Sequence, residues 1–398
     1  MNILFLTMSS SMGNIDSRGI YTDLMRKFRD EGNEVYIIFP RERRLGLPTE
    51  VIVDNHVHSL GVKTLNVTKT NVIEKGIGQL LIEYQFMSAF KKYIRNVKFD
   101  LILYSTPPIT FTKVIKRVKE SNPNATSYLL LKDIFPQNAV DMGILAKKGL
   151  LYKFFRTKEK KMYAISDRIG CMSPANVKYV LDHNPEILKE RVEVAPNSIE
   201  LLDAEISEGG SVLAKYNLPS DKPIFIYGGN LGVPQGIPFL IKCMEANADR
   251  EDCHFVVVGN GTYFQKLADW YESAKPKSVT VMKGLPKADY DQLVQSCSVG
   301  LIFLDYRFTI PNFPSRLLSY LEYKMPVLCA TDPNSDIGTI AEDNNFGFYI
   351  PSNDVDAFTN SVNRILASDI QLMGENGYEF LKSNYVVDNT YKSIVQHI

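Results

Sequence analysis

The sequence lacks the features that mark membrane-spanning, secreted and metal-cluster proteins. No apolar run in its 398 residues approaches the ~18 residues that a membrane-spanning helix needs. The opening segment has no basic stretch ahead of its short apolar core, so we interpret it as a first strand and not as a signal peptide. The five cysteines form no CxxC pair. Their scatter argues for a reducing cytosol and against a disulfide scaffold or a zinc cluster.

Several catalytic and metal-binding signatures are absent as well. There is no Walker loop, GxSxG elbow or HExxH pair, and Phe264 stands where a dinucleotide fingerprint needs glycine. His56 and His58 alternate on a strand-like run without a third ligand nearby, so we expect no metal there. Asp354 and Asp356 resemble a metal-nucleotide DxD motif, but the cap of a C-terminal helix explains them better.

The two halves of the chain carry opposite net charges. Residues 1–196 hold 30 Lys+Arg and 20 Asp+Glu, a net charge of +10, whereas residues 197–398 hold 15 and 25, a net charge of −10. A basic half favours an anionic partner such as nucleic acid, a membrane surface or a phosphorylated substrate, although solvated surface charge explains it equally well.

One helical segment concentrates this basic charge. Tyr152–Ala164 interleaves five basic residues with aromatic ones, which is typical of a membrane interface. An amphipathic helix that packs its aromatic residues into the first domain is the alternative.

Both halves alternate apolar strands with helical stretches, a pattern that predicts parallel sheets buried on both faces. The segment Asn197–Asp221 breaks the pattern, so we expect two doubly wound, Rossmann-like α/β domains facing each other across a cleft. The predicted strands are Asn2–Thr7, Glu34–Phe39, Asp100–Tyr104, Thr126–Leu131, Arg168–Met172 and Val192–Ala195, then Pro223–Tyr227, His254–Val258, Val279–Met282, Val299–Leu304, Val327–Ala330 and Phe348–Ile350.

Ligands of such sheets bind beyond the carboxyl ends of the strands, where loops lead into helices. In the second half, one strand ends in a glycine-rich loop whose amides suit an anion, although a plain tight turn explains it too. Pro314 suits the first turn of a helix, so the N–H groups at about Ser315 to Leu317 predict an anion site, to which Arg316 adds a bidentate phosphate contact. An ordinary strand–loop–helix connection is the alternative.

In the first half, polar residues follow two predicted strands. Asp133 stands at the carboxyl end of a buried strand, where its carboxylate suits a hydrogen bond from a hydroxyl or service as a base, unless it is a simple loop cap. Ser105, Thr106 and Pro107 end the preceding strand and shape the same edge.

Taken in order, these segments resemble glycosyltransferase family 4, the GT-B-fold enzymes of bacterial surface-polysaccharide synthesis. The likeness spans nearly the whole chain, and no single piece is decisive. The matching pieces are Gly32-Asn33-Glu34-Val35, Ser105-Thr106-Pro107-Pro108, Asp133-Ile134-Phe135-Pro136, Ala195-Pro196-Asn197-Ser198, Tyr227-Gly228-Gly229-Asn230-Leu231-Gly232, Val258-Gly259-Asn260-Gly261, Lys283-Gly284-Leu285-Pro286 and Pro314-Ser315-Arg316-Leu317 through Met325-Pro326-Val327.

The resemblance implies a retaining, metal-independent transfer of a sugar from a nucleotide diphosphate, favoured to be UDP, to a lipid-linked glycan acceptor. It implies an acceptor domain over 1–197, a donor domain over 198–375 and a C-terminal helix over 376–398 that crosses back. No cofactor beyond the nucleotide-sugar and no nucleic acid is expected. The protein would be cytoplasmic, with an anionic inner-membrane surface as a candidate partner of the basic half.

The resemblance also assigns roles to individual residues. Asp133 and Arg316 would be catalytic, and Gly13, Gly19, Ser105, Thr106 and Pro107 would face the acceptor. The donor residues would be Gly228, Gly229, Asn230, Gly232, Gln235, Gly259, Asn260, Gly261, Lys283, Gly284, Leu285, Phe313, Pro314, Ser315, Arg316, Leu317, Ser319 and Glu322.

Four positions depart from the family pattern. Its paired glutamates would fall at Pro311 and Ser319, and its donor-loop arginine and lysine at Asn230 and Gln235. The missing carboxylates motivate one alternative, a binding or scaffolding subunit without catalysis. A nucleotide-sugar epimerase on the same fold is a separate alternative.

Overall fold

The computed structural model describes residues 1–68, 70, 72–201 and 210–398, of which 72, 73, 75, 210 and 211 are described by their backbone alone. Residues 202–209, inside the predicted linker, lie outside the described part. The chain forms two compact units: Met1–Glu200 together with Tyr385–Ile398, and Leu201–Asn384. The sequence analysis placed the corresponding boundaries after 197 and 375.

The first unit is built on a sheet with the strand order β3-β4-β2-β1-β5-β6-β7-β8. All neighbouring strands are parallel except β3 and β4, which pair antiparallel. The strands are β1 (Asn2–Leu6), β2 (Glu34–Glu42), β3 (Glu50–Asp54), β4 (Val57–Thr64), β5 (Leu101–Ser105), β6 (Thr126–Leu131), β7 (Arg168–Cys171) and β8 (Val192–Val194).

Each of the twelve predicted strands is present, but the hairpin of β3 and β4 was not predicted. Val53, on β3, is exposed, because this edge strand has one neighbour only. The expectation of purely parallel sheets is therefore wrong at this edge, where a short antiparallel strand covers β4.

Helices connect the strands of the first unit. In α1 the apolar residues Leu24, Met25 and Phe28 recur at helical spacing and are buried, which fixes this helix against the sheet. The helices are α1 (Ile20–Asp30), α2 (Val72–Tyr93), α3 (Thr112–Ser121), α4 (Gln137–Asp141), α5 (Leu150–Ile165) and α6 (Pro174–His183).

The second unit is a doubly wound sheet with the order β11-β10-β9-β12-β13-β14, all parallel. The chain reverses its direction of winding between β9 and β12, and such a switch point is where open α/β sheets bind ligands. The strands are β9 (Ile224–Asn230), β10 (His254–Asn260), β11 (Val279–Lys283), β12 (Val299–Phe303), β13 (Val327–Thr331) and β14 (Gly347–Pro351).

The helices of the second unit cover both faces of this sheet, as the fold requires. Asp354 caps one of them by accepting a hydrogen bond from the Ala357 N–H at 2.8 Å, which confirms its predicted role. The helices are α7 (Gly210–Lys215), α8 (Ile237–Ala246), α9 (Phe264–Ala274), α10 (Lys287–Gln295), α11 (Arg316–Glu322), α12 (Ile337–Asp343), α13 (Val355–Leu366) and α14 (Ile370–Asn384).

After α14 the chain returns to the first unit and ends in α15 (Val387–Val395). The Ile199 N–H donates to the Tyr385 carbonyl at 3.0 Å, and Val387 donates back to Ile199 at 3.1 Å. The ring of Tyr391 then packs edge-on against Phe28 of α1, with 5.0 Å between centroids. The returning C-terminal helix is therefore part of the first unit's core.

Candidate functional site

The carboxyl ends of three adjacent strands bring together most of the predicted donor residues. Gly229 pairs with Gly259 and Asn230 with Asn260 across β9 and β10, and Gly259 pairs with Lys283 across β10 and β11. Three loops that lie far apart in sequence therefore begin side by side at one edge of the sheet. The loop after β12 reaches the same edge, because the Asp305 N–H donates to the Pro234 carbonyl at 2.9 Å.

The glycines at this edge are required mainly by strand packing. A Cβ on Gly259 would lie 1.8 Å from the Gly229 carbonyl oxygen, and one on Gly261 would lie 2.3 Å from that of Leu231. A Cβ on Gly228 would meet the Tyr290 hydroxyl at 2.1 Å. A side chain at any of these three positions would thus collide with neighbouring protein atoms, whereas at Gly229 it is the backbone, with φ of +124°, that needs glycine.

Arg316 is the cation nearest to this glycine loop. Its guanidinium carbon lies 4.4 Å from the centroid of the Tyr227 ring, and Nη2 lies 3.5 Å from where a Cβ on Gly229 would stand. Nη1 is buried and has no hydrogen-bond partner among the described residues. Burial disfavours the cation, yet the nearby Tyr227 and Tyr320 leave the pKa of Arg316 raised. A charged donor is therefore held at the switch point with both N–H groups of Nη1 unsatisfied, a costly arrangement unless an anion binds.

Helix α11 begins two residues later than predicted. Its first residue is Arg316 and its N-cap is Ser315, so Pro314 precedes the helix instead of occupying its first turn. The Leu317 N–H already donates to the Pro314 carbonyl at 3.2 Å. Of the three predicted anion-binding amides, that of Leu317 is thus engaged within the turn.

The remaining residues predicted on this segment differ in their exposure. Phe313 is half-buried beside the turn, Pro311 is buried and Ser319 is exposed on α11. Glu322, the last residue of α11, is half-buried. Ser319 and Glu322 lie about one helical turn apart, as their spacing predicted.

The loop after β9 holds an amide pair where the family has basic residues. Asn230 Nδ2 donates to Gln235 Oε1 at 2.8 Å, and the Gly232 N–H donates to the same oxygen at 3.3 Å. The two side chains therefore brace the loop and bring no charge to it. Arg316 is consequently the cation that the structure places beside Gly229.

The loop after β11 is bound to its neighbour through the main chain. The Gly284 N–H donates to Asn260 Oδ1 at 3.4 Å, and Lys283 lies over the Phe264 ring at 5.6 Å from its centroid. Lys283 is exposed and Leu285 is half-buried. The Asn260 side chain thus joins the loop after β10 to the main chain of the loop after β11.

A buried carboxyl group that sequence reasoning missed organises this edge. Asp332, directly after β13, accepts hydrogen bonds from the Ser335 N–H at 2.9 Å and the Ser335 hydroxyl at 2.8 Å. That hydroxyl in turn accepts the Asn312 N–H at 2.8 Å. Burial raises the pKa of Asp332 to about 6. The signal was available, because Asp332 follows a buried strand just as Asp133 does.

The first unit gathers its own predicted residues at the carboxyl ends of β5 and β6. The Thr106 hydroxyl oxygen accepts the N–H groups of Lys132 and Asp133 at 3.0 and 3.2 Å. Asn138 Nδ2 donates to Asp133 Oδ1 at 2.7 Å. Burial raises the pKa of Asp133 to about 6. A carboxyl group that titrates near neutral pH suits acid–base chemistry.

The neighbouring residues of this edge are mostly structural. Ser105, the last residue of β5, and Pro107 border the Thr106 position. Lys132, which sequence reasoning passed over, donates to the Ala195 carbonyl at 3.0 Å, and burial lowers its pKa to about 7. This lysine ties the end of β6 to the segment after β8.

The loop after β1 carries the two predicted glycines. Gly13 ends a short 3-10 helix, and a Cβ there would touch the Phe39 ring at 3.5 Å. Gly19 precedes α1, and its N–H donates to the buried Asp23 carboxylate at 2.9 Å. Since β1 lies between β2 and β5, this loop starts at the same edge as Thr106.

The two histidines expected not to bind a metal, His56 and His58, both contact the Glu34 carboxylate. His56 Nδ1 lies 2.6 Å from one oxygen of Glu34, and His58 Nε2 lies 3.0 Å from the other. Among the described residues, no three His, Cys, Asp or Glu side chains are grouped to hold a metal ion. None of the helices in the described part of the chain has the length and apolarity to cross a bilayer.

Comparisons with known proteins agree with this geometry. Residues 212–380 match the family described as Glycosyl transferases group 1. The probable glycosyltransferase WbjE of Pseudomonas aeruginosa is 22% identical over 382 residues, which cover 94% of this chain and 91% of WbjE.

Solved structures match over nearly the full length. Sucrose-phosphate synthase of Thermosynechococcus elongatus has a TM-score of 0.74 at 17% identity, covering 99% of this chain and 97% of that one. HepE of Anabaena in complex with UDP has a TM-score of 0.67 at 15% identity, covering 100% and 99%. An E. coli trehalose-6-phosphate protein bound with UDP-2-fluoro glucose scores 0.72 at 10% identity, covering 100% and 98%.

The fold therefore has its structural neighbours among GT-B glycosyltransferases, with two parallel-sheet α/β units, as predicted. The group 1 match, which falls within the second unit, and the relative WbjE together support a glycosyltransferase.

Proposed function

We propose that this protein is a retaining, metal-independent glycosyltransferase of family 4 in surface-polysaccharide assembly. It would transfer a sugar from a nucleotide diphosphate, favoured to be UDP, to a lipid-linked glycan. The UDP complexes of HepE and the UDP-sugar complex of the E. coli protein support a uridine donor.

One observation carries the proposal: the buried, unsatisfied Nη1 of Arg316 beside Gly229 at the switch point of the second sheet. A diphosphate would accept hydrogen bonds from the N–H groups of Nη1 and neutralise the guanidinium. The main chain at Gly229 and Ser315 would add contacts, and the main chain at Lys283–Leu285 would contact the base. The Leu317 N–H is engaged with the Pro314 carbonyl. Arg316 would therefore contribute more of the phosphate binding than it would if all three predicted amides were free.

The proposed reaction needs no nucleophile from the enzyme. The bond from the sugar's anomeric carbon to the phosphate oxygen breaks, and its electron pair stays on the phosphate. The acceptor oxygen bonds to the same face of the sugar, and its proton passes to the departing phosphate. Arg316 would stabilise the charge that develops on the leaving group. In the first unit, Asp133 would accept a hydrogen bond from an acceptor hydroxyl.

The acceptor and the cellular location are proposed from the sequence. The net charge of +10 over residues 1–196 suits an anionic, lipid-linked glycan and the inner face of a membrane. Pro311 and Ser319, which replace the family's paired carboxylates, mean that the donor sugar would be held by other groups. They are also the observation that favours the alternative of a binding subunit without catalysis.

A thermal-shift screen tests donor binding. UDP, GDP, ADP, dTDP and their sugars are each added to the wild type and to Arg316→Ala. A ligand that binds the folded state alone stabilises it by RT ln(1 + [L]/Kd), which is about 2.7 kcal/mol at about 100 times Kd. We expect UDP and a UDP-sugar to raise the Tm of the wild type and to have little effect on the variant. Equal shifts in both proteins would remove Arg316 from the site.

Chemistry is tested with the donor that binds. NMR of the product should show the donor's anomeric configuration retained, and the rate should survive EDTA. An epimer formed without acceptor would identify an epimerase. Nucleotide binding without turnover on any donor would favour the inactive binding subunit.

A further inference from the structure

The segment between α4 and the middle of α5 is unusually basic and apolar. Residues 142–158 contain four lysines and one arginine but neither aspartate nor glutamate. In the chain they follow β6, the loop that contains Asp133, and α4, and they include the beginning of α5.

Four large apolar side chains of this segment lie in solvent. Ile144 is 71% exposed, Leu150 84%, Leu151 62% and Phe154 43%. We call these four residues the 144–154 tip. Single exposed apolar residues are ordinary, but a cluster of four within eleven positions of one segment marks an interaction surface.

The remainder of α5 does not share this exposure. Met162 and Tyr163 are buried, and the Phe155 ring packs edge-on against Phe135 with 5.0 Å between centroids. Of the aromatic residues in Tyr152–Ala164, Tyr163 is buried and Tyr152 and Phe155 are half-buried, as the packing interpretation expected, whereas Phe154 is exposed. The exposed apolar surface lies earlier in the chain. It includes Ile144, Leu150 and Leu151, which precede the segment Tyr152–Ala164 that the sequence analysis considered.

The positive charge around the tip is available to a partner. Lys147, Lys148 and Lys153 are exposed, and within the described residues none of them lies at ion-pair distance from a carboxylate. Lys158 lies 5.7 Å from the Phe154 ring centroid. Arg156 is the exception, because it is bound to Glu159 at 2.7 Å.

We propose that the 144–154 tip is the surface through which this protein binds an anionic lipid bilayer. Exposed apolar side chains interleaved along the chain with exposed lysines match the acyl boundary and the phosphate layer of such a surface, because the apolar groups partition while the lysines pair with headgroups. An acidic protein partner would satisfy the lysines but would leave four protruding apolar side chains to be matched individually.

Lipid binding at the tip bears on the proposed function without depending on it. Tyr152, on α5 beside the tip, donates to Gln137 Oε1 at 3.4 Å, and Gln137 lies four residues after Asp133. Docking of the tip would thus bring the Asp133 edge near the membrane, where a lipid-linked acceptor is found. Vesicle binding is measured without any sugar donor, so its failure and the failure of the proposed function are distinguishable.

Co-sedimentation of the full chain with vesicles tests the proposal. Phosphatidylcholine vesicles are compared with vesicles that also contain phosphatidylglycerol. We expect binding to the anionic vesicles that weakens with added salt. Leu150→Ser/Leu151→Ser should lower the partition coefficient by about tenfold or more, and Lys147→Glu/Lys148→Glu by about fivefold or more for each lysine.

Matched controls carry the same substitutions elsewhere. Val53→Ser and Leu372→Ser replace side chains that are 62% and 57% exposed, and Lys178→Glu replaces an exposed lysine of α6. We expect each to bind vesicles as the wild type does. Because all the substituted side chains are exposed, the variants should keep the Tm of the wild type within a few degrees.

A fluorescent reporter measures insertion directly. Trp270 is the chain's one tryptophan, so Phe154→Trp adds a single probe at the tip. Its emission should shift to shorter wavelength with anionic vesicles, whereas that of the wild type should not.

Three results would overturn the proposal. The first is that the wild type does not bind anionic vesicles, and the second is that both tip variants bind them as the wild type does. The third is that the protein does not bind vesicles but forms a dimer in sedimentation velocity, which Leu150→Ser/Leu151→Ser dissociates. The last result would make the tip a contact between two copies of the chain.

Discussion

The guanidinium carbon of Arg316 lies 4.4 Å from the centroid of the buried Tyr227 ring. The Tyr227 hydroxyl donates to the Asn230 carbonyl at 2.7 Å, so the ring is held by the glycine loop itself. The pair joins β9 to the start of α11 across the switch point. The arginine is thereby oriented before any ligand arrives, which lowers the conformational cost of binding an anion.

Arg316 should be needed for turnover. We expect Arg316→Ala to lower kcat/KM by about 100-fold, because a preorganised donor to the leaving group is lost. Arg316→Lys keeps the charge but not the bidentate fork and should lose about tenfold. Steady-state kinetics with the identified donor measure both. Equal rates for the wild type and the alanine variant would contradict the assignment.

Tyr227 should act through Arg316. Tyr227→Phe keeps the ring and should stay within about threefold of the wild type, whereas Tyr227→Leu removes a cation–π contact worth about 0.5–2 kcal/mol. If the ring positions the arginine, Arg316→Ala/Tyr227→Leu should have the same kcat/KM as Arg316→Ala alone. Independent, additive losses would mean that Tyr227 supports the core only.

Gly259 should be required mainly for stability, because β10 packs closely against β9 at this position. Gly259→Ala places a methyl 1.8 Å from the Gly229 carbonyl oxygen, so the free energy of unfolding should fall by about 3 kcal/mol or more. Gly76→Ala in helix α2 is the control, since no other atom of the described residues, apart from its chain neighbours and the helix backbone, lies within 4 Å of where that Cβ would stand. It should raise stability by about 0.5–1 kcal/mol. Urea unfolding measures both, and a neutral Gly259→Ala would refute the packing argument.

Ser335 should position the loop that leads to Arg316. Ser335→Ala removes the hydroxyl that links Asp332 to the Asn312 N–H, and a lost hydrogen bond of about 1 kcal/mol corresponds to about fivefold in affinity. We expect the KM for the donor to rise with kcat less affected. Ser352→Ala is the control, because its buried hydroxyl has no partner among the described residues. An unchanged KM in Ser335→Ala would separate this network from the site.

Asp332 should make stability depend on pH. Its ordinary pKa is 3.8 and burial raises it to about 6 in the folded state. From about pH 4 to about pH 6 the folded state therefore holds more protons than the unfolded state, and the contribution of Asp332 to stability falls as the pH rises. Asp332→Asn should become more stable relative to the wild type by about 1–3 kcal/mol across this window.

The comparison with the wild type isolates this one group. His254, whose pKa burial lowers to about 4, acts in the opposite direction and remains in both proteins. Urea unfolding at a series of pH values measures the difference. A difference that is constant from pH 4 to pH 7 would show that Asp332 is not the titrating group.

The predicted strands were found because buried parallel strands are continuous apolar runs. Ile3–Leu6 and Phe255–Val258 have no exposed face, so their composition alone identifies them. The hairpin at Glu50–Thr64 escaped because its edge strand, Glu50–Asp54, is mostly exposed and has only three apolar residues between two acidic ones. The helix start was placed two residues too early, at Pro314, because a proline marks the vicinity of a helix start and not its register.

The site divides in the same way. The alternation of strands and helices predicts that the loops after β9, β10 and β11 meet, because parallel strands end at one edge of a sheet. The glycine contacts with backbone and the support of Asn312 by Asp332 depend on distances between segments that are separated in sequence. The pairing of Asn230 with Gln235 depends on how one loop folds.

The order of residues alone determined a two-unit, doubly wound α/β protein and the edge at which its ligand residues gather, because hydrophobic periodicity and turn residues are local properties. Tertiary structure decided that Arg316 lies on Tyr227 with an unpaired N–H, that two carboxyl groups titrate near pH 6, and that Leu150 and Leu151 remain in solvent. Burial, pKa and exposure are set by the neighbours that folding brings, and no single segment contains them.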